Sequence, residues 1–180
     1  MPHLADFVKA YDVRGLVPDQ LSPDVAHAIG AAFAEVVAVP DGSDGVVIGH
    51  DMRPSSPELS AAFAAGVTSR GVDVTVIGLC STDGLYYASG ALGVPGAMFT
   101  ASHNPAQYNG IKMCRAHAVP LGLEQRADPF VRRALPFVHF LLYGENSPGP
   151  GAVQRRTRGD AGRAAGLAGG RSRRCGLARC

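Results

Sequence analysis

Ser102, His103 and Lys112 lie within eleven residues of one another. Ser102 and His103 belong to the hexapeptide Thr100-Ala101-Ser102-His103-Asn104-Pro105, which follows the apolar run Gly96-Ala97-Met98-Phe99 and is closed by an Asn-Pro dipeptide that forces a turn. A serine on a loop at the carboxyl end of a buried strand stands where open α/β sheets place their ligands. Lys112 follows in Gln107-Tyr108-Asn109-Gly110-Ile111-Lys112, where Asn109-Gly110 reads as a tight turn leading into a strand that carries the lysine. A serine hydroxyl is a weak nucleophile unless its proton is removed or the attacked centre is polarised. Phosphoryl transfer, which needs in-line positioning and charge neutralisation more than covalent help, suits such a set.

The elements that must position these residues are legible on the amino-terminal side. Ser22-Pro23-Asp24 is a helix start, with a hydroxyl cap, a proline at the first position and an acid in the first turn. Val25, Ile29, Phe33, Val36 and Val37 share one face of that helix, and Pro40-Asp41-Gly42 ends it. Val46-Val47-Ile48 is a buried strand. Ser55 and Ser56 open a second helix that stops at Arg70-Gly71. Val72, Val74 and Val76 alternate with Asp73 and Thr75 as a third strand ending at Gly78, and a short helix covers Asp83 to Leu92 before the strand Gly96–Phe99. Strand–helix–strand–helix–strand predicts an α/β layer fold with a largely parallel sheet.

Charge divides the chain. Residues 1–122 hold six Lys+Arg against eleven Asp+Glu, a net of −5, whereas residues 123–180 hold eleven Arg, no Lys and four acids, a net of +7. The second part is rich in Arg, Gly and Ala, and from Ser147 onward it carries almost no apolar pattern, so disorder is expected there. Eleven arginines are an electrostatic footprint that nucleic acid could answer, but no aromatic interleaving or helical basic stripe accompanies them, and no nucleic-acid partner is expected. The first 20 residues carry charges and no apolar core, and no stretch approaches the ~20 apolar residues of a membrane span, so neither a targeting signal nor a membrane is expected. Cys80, Cys114, Cys175 and Cys180 show no zinc spacing and read as reduced thiols of a cytoplasmic protein.

Thr100–Pro105 followed by Tyr108-Asn109-Gly110-Ile111-Lys112 resembles the phosphoserine loop of the α-D-phosphohexomutases, in the phosphomannomutase/phosphoglucomutase branch. Tyr11-Asp12-Val13-Arg14-Gly15 resembles the amino-terminal signature of that family, and Gly49-His50-Asp51-Met52-Arg53-Pro54-Ser55-Ser56 its strand-to-helix turn. Tyr108 separates the chain from the phosphoglucosamine mutases, which carry Asp before the Asn-Gly. The resemblance runs from about Lys9 to about Gly122 and covers the first of the family's four domains. It implies a three-layer α/β/α domain with a mixed, largely parallel sheet over residues 1–122, followed by an irregular Arg/Gly-rich tail over 123–180. That tail is expected to be the product of a shifted reading frame.

The resemblance also assigns roles. Ser102 would carry the phosphoryl group that moves between carbon 6 and carbon 1 of a mannose or glucose phosphate by way of a hexose 1,6-bisphosphate, which also serves as activator. Lys112 would transfer a proton or stabilise charge at the leaving oxygen. His103 and Arg14 would complement phosphate charge, with Tyr11 lining the same edge and Asn104 shaping the loop that Pro105 fixes. Mg2+ would sit on the Ser102 phosphate, but the family's aspartate motif, sugar-reading loop and phosphate-clamping loop are absent from these 180 residues. A protein of these residues alone is therefore expected to be a poor mutase or none, and a catalytically silent sugar-phosphate-binding or interaction fragment stands as the alternative. Asp51 and Arg53 are expected to form a structural ion pair or cap at the second helix. His50 is given no role, and His3 and His27 are expected at the surface.

Overall fold

The computed structural model describes residues 12–121 together with Val138 and Leu142. In chain order the elements are β1 (Asp12–Leu16), α1 (Pro23–Phe33), a π-helical turn (Ala34–Ala38), β2 (Gly45–His50), α2 (Ser56–Thr68), β3 (Asp73–Leu79), α3 (Thr82–Leu92), β4 (Gly96–Phe99), β5 (Tyr108–Arg115), a 3-10 turn (Ala116–Ala118) and β6 (Val119–Pro120). The start of α1 follows from the residues named above, whereas Ser55 before α2 makes no side-chain cap bond and α3 is capped by Ser81, whose hydroxyl accepts from the Gly84 N–H at 3.1 Å. The Ser22 hydroxyl accepts from the Val25 N–H at 3.3 Å, and Pro23 costs nothing where no donor is needed. Gly71, at φ +76°, takes the left-handed conformation that closes the turn after α2, its N–H donating to the Thr68 carbonyl at 3.0 Å.

The apolar face expected to run unbroken through Val36 and Val37 does so, but the backbone widens to a π-helical turn over Ala34–Ala38. Both valines stay buried, so the packing that periodicity promised is kept while the hydrogen-bond ladder is not.

The sheet is mixed, in the order β1-β5-β4-β2-β3 with β6 beside β5. β2 runs parallel to both β3 and β4, while β5 is antiparallel to β4, β1 and β6. Strand alternation divides the core between two faces. Val46, Ile48, Phe99, Ile111 and Met113 pack with Phe33 and Phe63 beneath α1 and α2, whereas Val47 and Met98 pack with Leu85 of α3 on the opposite face. The domain is therefore a three-layer α/β/α unit. Val138, beyond the expected boundary at 122, is buried in the larger cluster, and Leu142 packs against it.

Two features fix the helical layer. Gly30 of α1 and Gly66 of α2 face each other's helix so closely that a Cβ on Gly30 would strike the Phe63 carbonyl, and one on Gly66 the His27 carbonyl. Phe63 then bridges layers, with its ring 5.8 Å from Phe33 and 5.5 Å, edge-on, from Phe99.

The topology locates a ligand crevice. The chain leaves β2 through α2 to β3 on one side, then returns through α3 past β2 to β4 on the other. Right-handed crossovers require those two helices to lie on opposite faces, as they do. The carboxyl ends of β2 and β4 thus flank a topological switch point, where open sheets bind ligands. Asp51 to Arg53 leave one strand there, and Thr100 to Ser102 leave the other.

Candidate active site

Arg53 organises the crevice. From the end of β2 its guanidinium reaches across to the loop after β4 and donates to four main-chain carbonyls. Nη1 donates to Pro105 and Tyr108, both at 2.9 Å, and Nη2 to Ser102 at 3.0 Å and Asn104 at 2.8 Å. Its Nε lies 3.3 Å from Asp51 Oδ2, an ion pair without hydrogen-bond geometry, and the side chain is only 12% exposed.

Asp51 is the foot of this arrangement. Its Oδ1 accepts from the Arg53 N–H at 3.0 Å and the Ser56 hydroxyl at 2.7 Å. Burial alone would raise the Asp51 carboxyl. The hydrogen bonds from Ser56, the Arg53 N–H and the Thr100 hydroxyl, with the Arg53 charge, outweigh it and hold the pKa below its ordinary value. Below them Asn109, fully buried, donates from Nδ2 to the hydroxyls of Ser55 at 2.8 Å and Ser56 at 2.9 Å, while its Oδ1 accepts the Gly110 N–H at 2.8 Å.

Ser102 is exposed and adopts φ +54°, a left-handed conformation that costs a non-glycine residue roughly 1–3 kcal/mol and persists only where its surroundings impose it. Both of its peptide groups are held by side chains. Its N–H donates to Thr100 Oγ1 at 3.0 Å, and its carbonyl accepts from Arg53. The exposed His103 places Nδ1 3.4 Å from Ser102 Oγ, too long for a strong bond but close enough to tighten on a ligand. The Asn104 N–H closes the turn onto the Ala101 carbonyl at 3.0 Å.

The neighbouring strands add charge. Across the antiparallel β1–β5 pair, Asp12 stands opposite Lys112 and Arg14 opposite Gly110, so these side chains share one face. Arg14 bonds the buried Asp12 at 2.6 Å and reaches Asn104 Oδ1 at 3.5 Å, passing over Gly110. Gly110 is a steric requirement, since a Cβ there would strike the Val13 carbonyl and come within 2.9 Å of the Thr100 carbonyl. The expected Asn109-Gly110 turn is corrected on this point. Both residues lie inside β5, paired with Gly15 and Arg14, and the chain reverses earlier, where the Tyr108 N–H meets the Pro105 carbonyl at 3.0 Å.

Ser102, His103, Asn104 and Arg14 thus meet in one exposed crevice, and the half-buried Lys112 sits two residues along the strand from Gly110. Tyr11 lies outside the described residues, as do Cys175, Cys180, His3 and, apart from Val138 and Leu142, the Arg/Gly-rich tail over 123–180. Asp51 and Arg53 form the expected ion pair, and Asp51 accepts from Ser56 at the start of α2, but the principal contacts of Arg53 are with the serine loop, which the sequence did not suggest. Asp12 was also passed over, although Asp12-Val13-Arg14 on a strand puts acid and base on one face. His27 is exposed as expected. Among the described residues no group of three His, Cys, Asp or Glu side chains could hold a metal, and the acids beside the loop, Asp12 and Asp51, are each already paired with an arginine. The described residues alone do not fit a magnesium site. No helix among them is long and apolar enough to cross a membrane.

Residues 6–128 match the family model described as phosphoglucomutase/phosphomannomutase, alpha/beta/alpha domain I. Over 114 residues the chain is 46% identical to a protein of Xanthomonas campestris pv. campestris named phosphohexose mutases, covering 63% of this chain and 25% of that protein. Over 114 residues it is also 42% identical to a phosphomannomutase of Klebsiella pneumoniae, covering 63% of this chain and 70% of the relative. The crystal structure of a phosphoglucomutase/phosphomannomutase family protein from Burkholderia thailandensis superposes with a TM-score of 0.59 at 36% identity, over 70% of this chain and 29% of that one. The chain thus spans about a quarter of the Xanthomonas relative's length.

Proposed function

Because the chain belongs to the phosphoglucomutase/phosphomannomutase family, as its α/β/α domain I, we propose that Ser102 is the phosphoryl carrier of an intramolecular phosphotransferase acting on mannose or glucose phosphate. One observation carries this reading. Ser102 is held with its hydroxyl exposed at the sheet's switch point, in a left-handed conformation that hydrogen bonds from two side chains maintain, with His103 and Arg14 at hand.

In the charging step the bond between phosphorus and a sugar oxygen of the hexose bisphosphate breaks as a bond to Ser102 Oγ forms. The hydroxyl proton passes to the released sugar oxygen, and the product is a hexose monophosphate. Lys112 is the candidate to relay that proton or stabilise the leaving oxygen. His103 and Arg14 answer the charge of the incoming phosphoryl oxygens, which is where most catalysis of this reaction lies. Arg14 is suited to this, since its side chain is 31% exposed and its only other described contact on the loop is long. Return of the group to the other end of the sugar is the same step in reverse. Sugar recognition belongs to parts of the family's proteins that these residues do not include.

The test is site-mapped phosphorylation of the 180-residue chain by glucose 1,6-bisphosphate in a magnesium buffer. Phosphate should appear on Ser102, vanish in Ser102→Ala, and arrive more slowly at the same site in Lys112→Met. Phosphate on another residue removes Ser102 from its role.

A further inference from the structure

We propose that Arg53, seated on Asp51, is a positioning residue that holds Ser102 in the conformation in which its hydroxyl can accept and return a phosphoryl group. The inference rests on the reading of Ser102 as the phosphoryl carrier, and extends it to a residue that touches no reacting atom.

The contacts of Arg53 exclude a direct role on the substrate. Both Nη atoms are occupied by loop carbonyls, its charge is answered by Asp51, and the group is nearly buried. Arg14, also paired with an aspartate, is more exposed and makes a single long contact to the loop. One arginine beside the loop can thus meet a ligand, whereas the other holds the loop itself.

The four acceptors, Ser102, Asn104, Pro105 and Tyr108, span the loop from the serine to the start of β5. A planar guanidinium with donors on both terminal nitrogens can bridge them together, which a single ammonium cannot. Asp51 pairs with Arg53 and accepts its N–H, and so orients the guanidinium that takes the Ser102 carbonyl. The Thr100 hydroxyl takes the Ser102 N–H, so the left-handed serine is restrained on both sides.

The experiment pairs phosphorylation kinetics with amide exchange on the full chain and its Arg53→Ala and Arg53→Lys variants. Arg53→Ala should slow transfer from glucose 1,6-bisphosphate to Ser102 on the order of 100-fold, the penalty for misplacing a reacting group by about 1 Å. Exchange protection should fall at the amides of Ser102, Asn104 and Tyr108 while that of Val47 in β2 is kept, since the former depend on the loop and the latter bonds to the Pro95 carbonyl. Millimolar guanidinium should restore part of the rate in Arg53→Ala and none in Arg53→Lys, a rescue that general destabilisation would not give. Should Arg53→Ala fail to fold, Arg53→Lys, which keeps a cation beside Asp51, decides by the same two measurements.

Unchanged rates in the folded variants, or undiminished loop protection, overturn the proposal. A parent chain that takes no phosphate on Ser102 overturns the proposed function instead. The exchange measurement then decides the clamp alone, with loss confined to the loop supporting it and unchanged protection refuting it.

Discussion

Replacing Asn109 tests the polar foundation beneath the serine loop. Its side chain is fully buried and makes three hydrogen bonds, two donated to Ser55 and Ser56 and one accepted from the Gly110 N–H. Ser56 has a single hydroxyl proton, which it gives to Asp51, so toward Asn109 it can only accept. The site therefore requires a donor. Asn109→Ala removes that donor and the Gly110 acceptor; with each stranded buried group costing about 1–3 kcal/mol, a loss of about 3 kcal/mol is expected. In a domain of this size that lowers the melting temperature on the order of 10 °C. Asn109→Asp keeps the shape and the Gly110 bond, yet presents a second carboxylate to a hydroxyl oxygen already committed to Asp51. It should therefore cost more than Asn109→Ala at neutral pH, despite the smaller change in volume. The new carboxyl is buried beside a like charge, so its folded pKa lies above the unfolded value of about 3.9 and protonation favours the folded state. Stability of that variant should accordingly recover, relative to Asn109→Ala, as pH falls from neutrality through the raised folded pKa. Urea unfolding midpoints at a constant slope provide the measurement. If Asn109→Asp proves milder than Asn109→Ala at neutral pH, or the difference is independent of pH, the network has been misassigned.

The contact between α1 and α2 predicts that Gly66→Ala destabilises the domain by about 1–3 kcal/mol through the clash with the His27 carbonyl. Gly90→Ala, in α3 with nothing near its added methyl, should instead stabilise by roughly 0.5–1 kcal/mol, and equal effects in thermal melts would contradict the packing argument. Asp51 has a folded pKa below its ordinary value of 3.8, so its contribution is complete above that pH and lost as pH falls through the lower folded value. Asp51→Asn should remove that part of the acid limb of the stability curve, and an acid limb unchanged in the variant would show that the carboxylate is not held as described.

Most of the layer fold was legible because its signals are local. Ser22-Pro23-Asp24 caps a helix by contacts within one turn, the alternation from Val72 to Val76 marks a strand without reference to any neighbour, and Gly96–Phe99 emerges as the strand expected. The failures share a physical cause, which is that each depends on what lies opposite. Asn109-Gly110 has the composition of a turn, but the glycine is needed where the Val13 and Thr100 carbonyls crowd the strand, and the asparagine where two serine hydroxyls need a donor. The π-helical turn at Ala34–Ala38 changes the hydrogen-bond ladder while leaving the buried face that the pattern reports.

The site divides along the same line. Ser102, His103 and Asn104 declare themselves as polar residues crowded into one turn, and Arg14 through its motif, whereas the motif that holds Arg53 marks a strand-to-helix turn and gives no sign of the loop it grips. Arg53 lies roughly fifty positions upstream of its partners, and every one of those partners is a main-chain carbonyl. Carbonyls are alike in all residues, so recognition of this kind constrains the arginine and leaves no mark on the identities of the residues it grips. A sequence can thus display the group that reacts and conceal the group that aims it, and the second is recovered only by asking where the carbonyls of a strained loop find their donors.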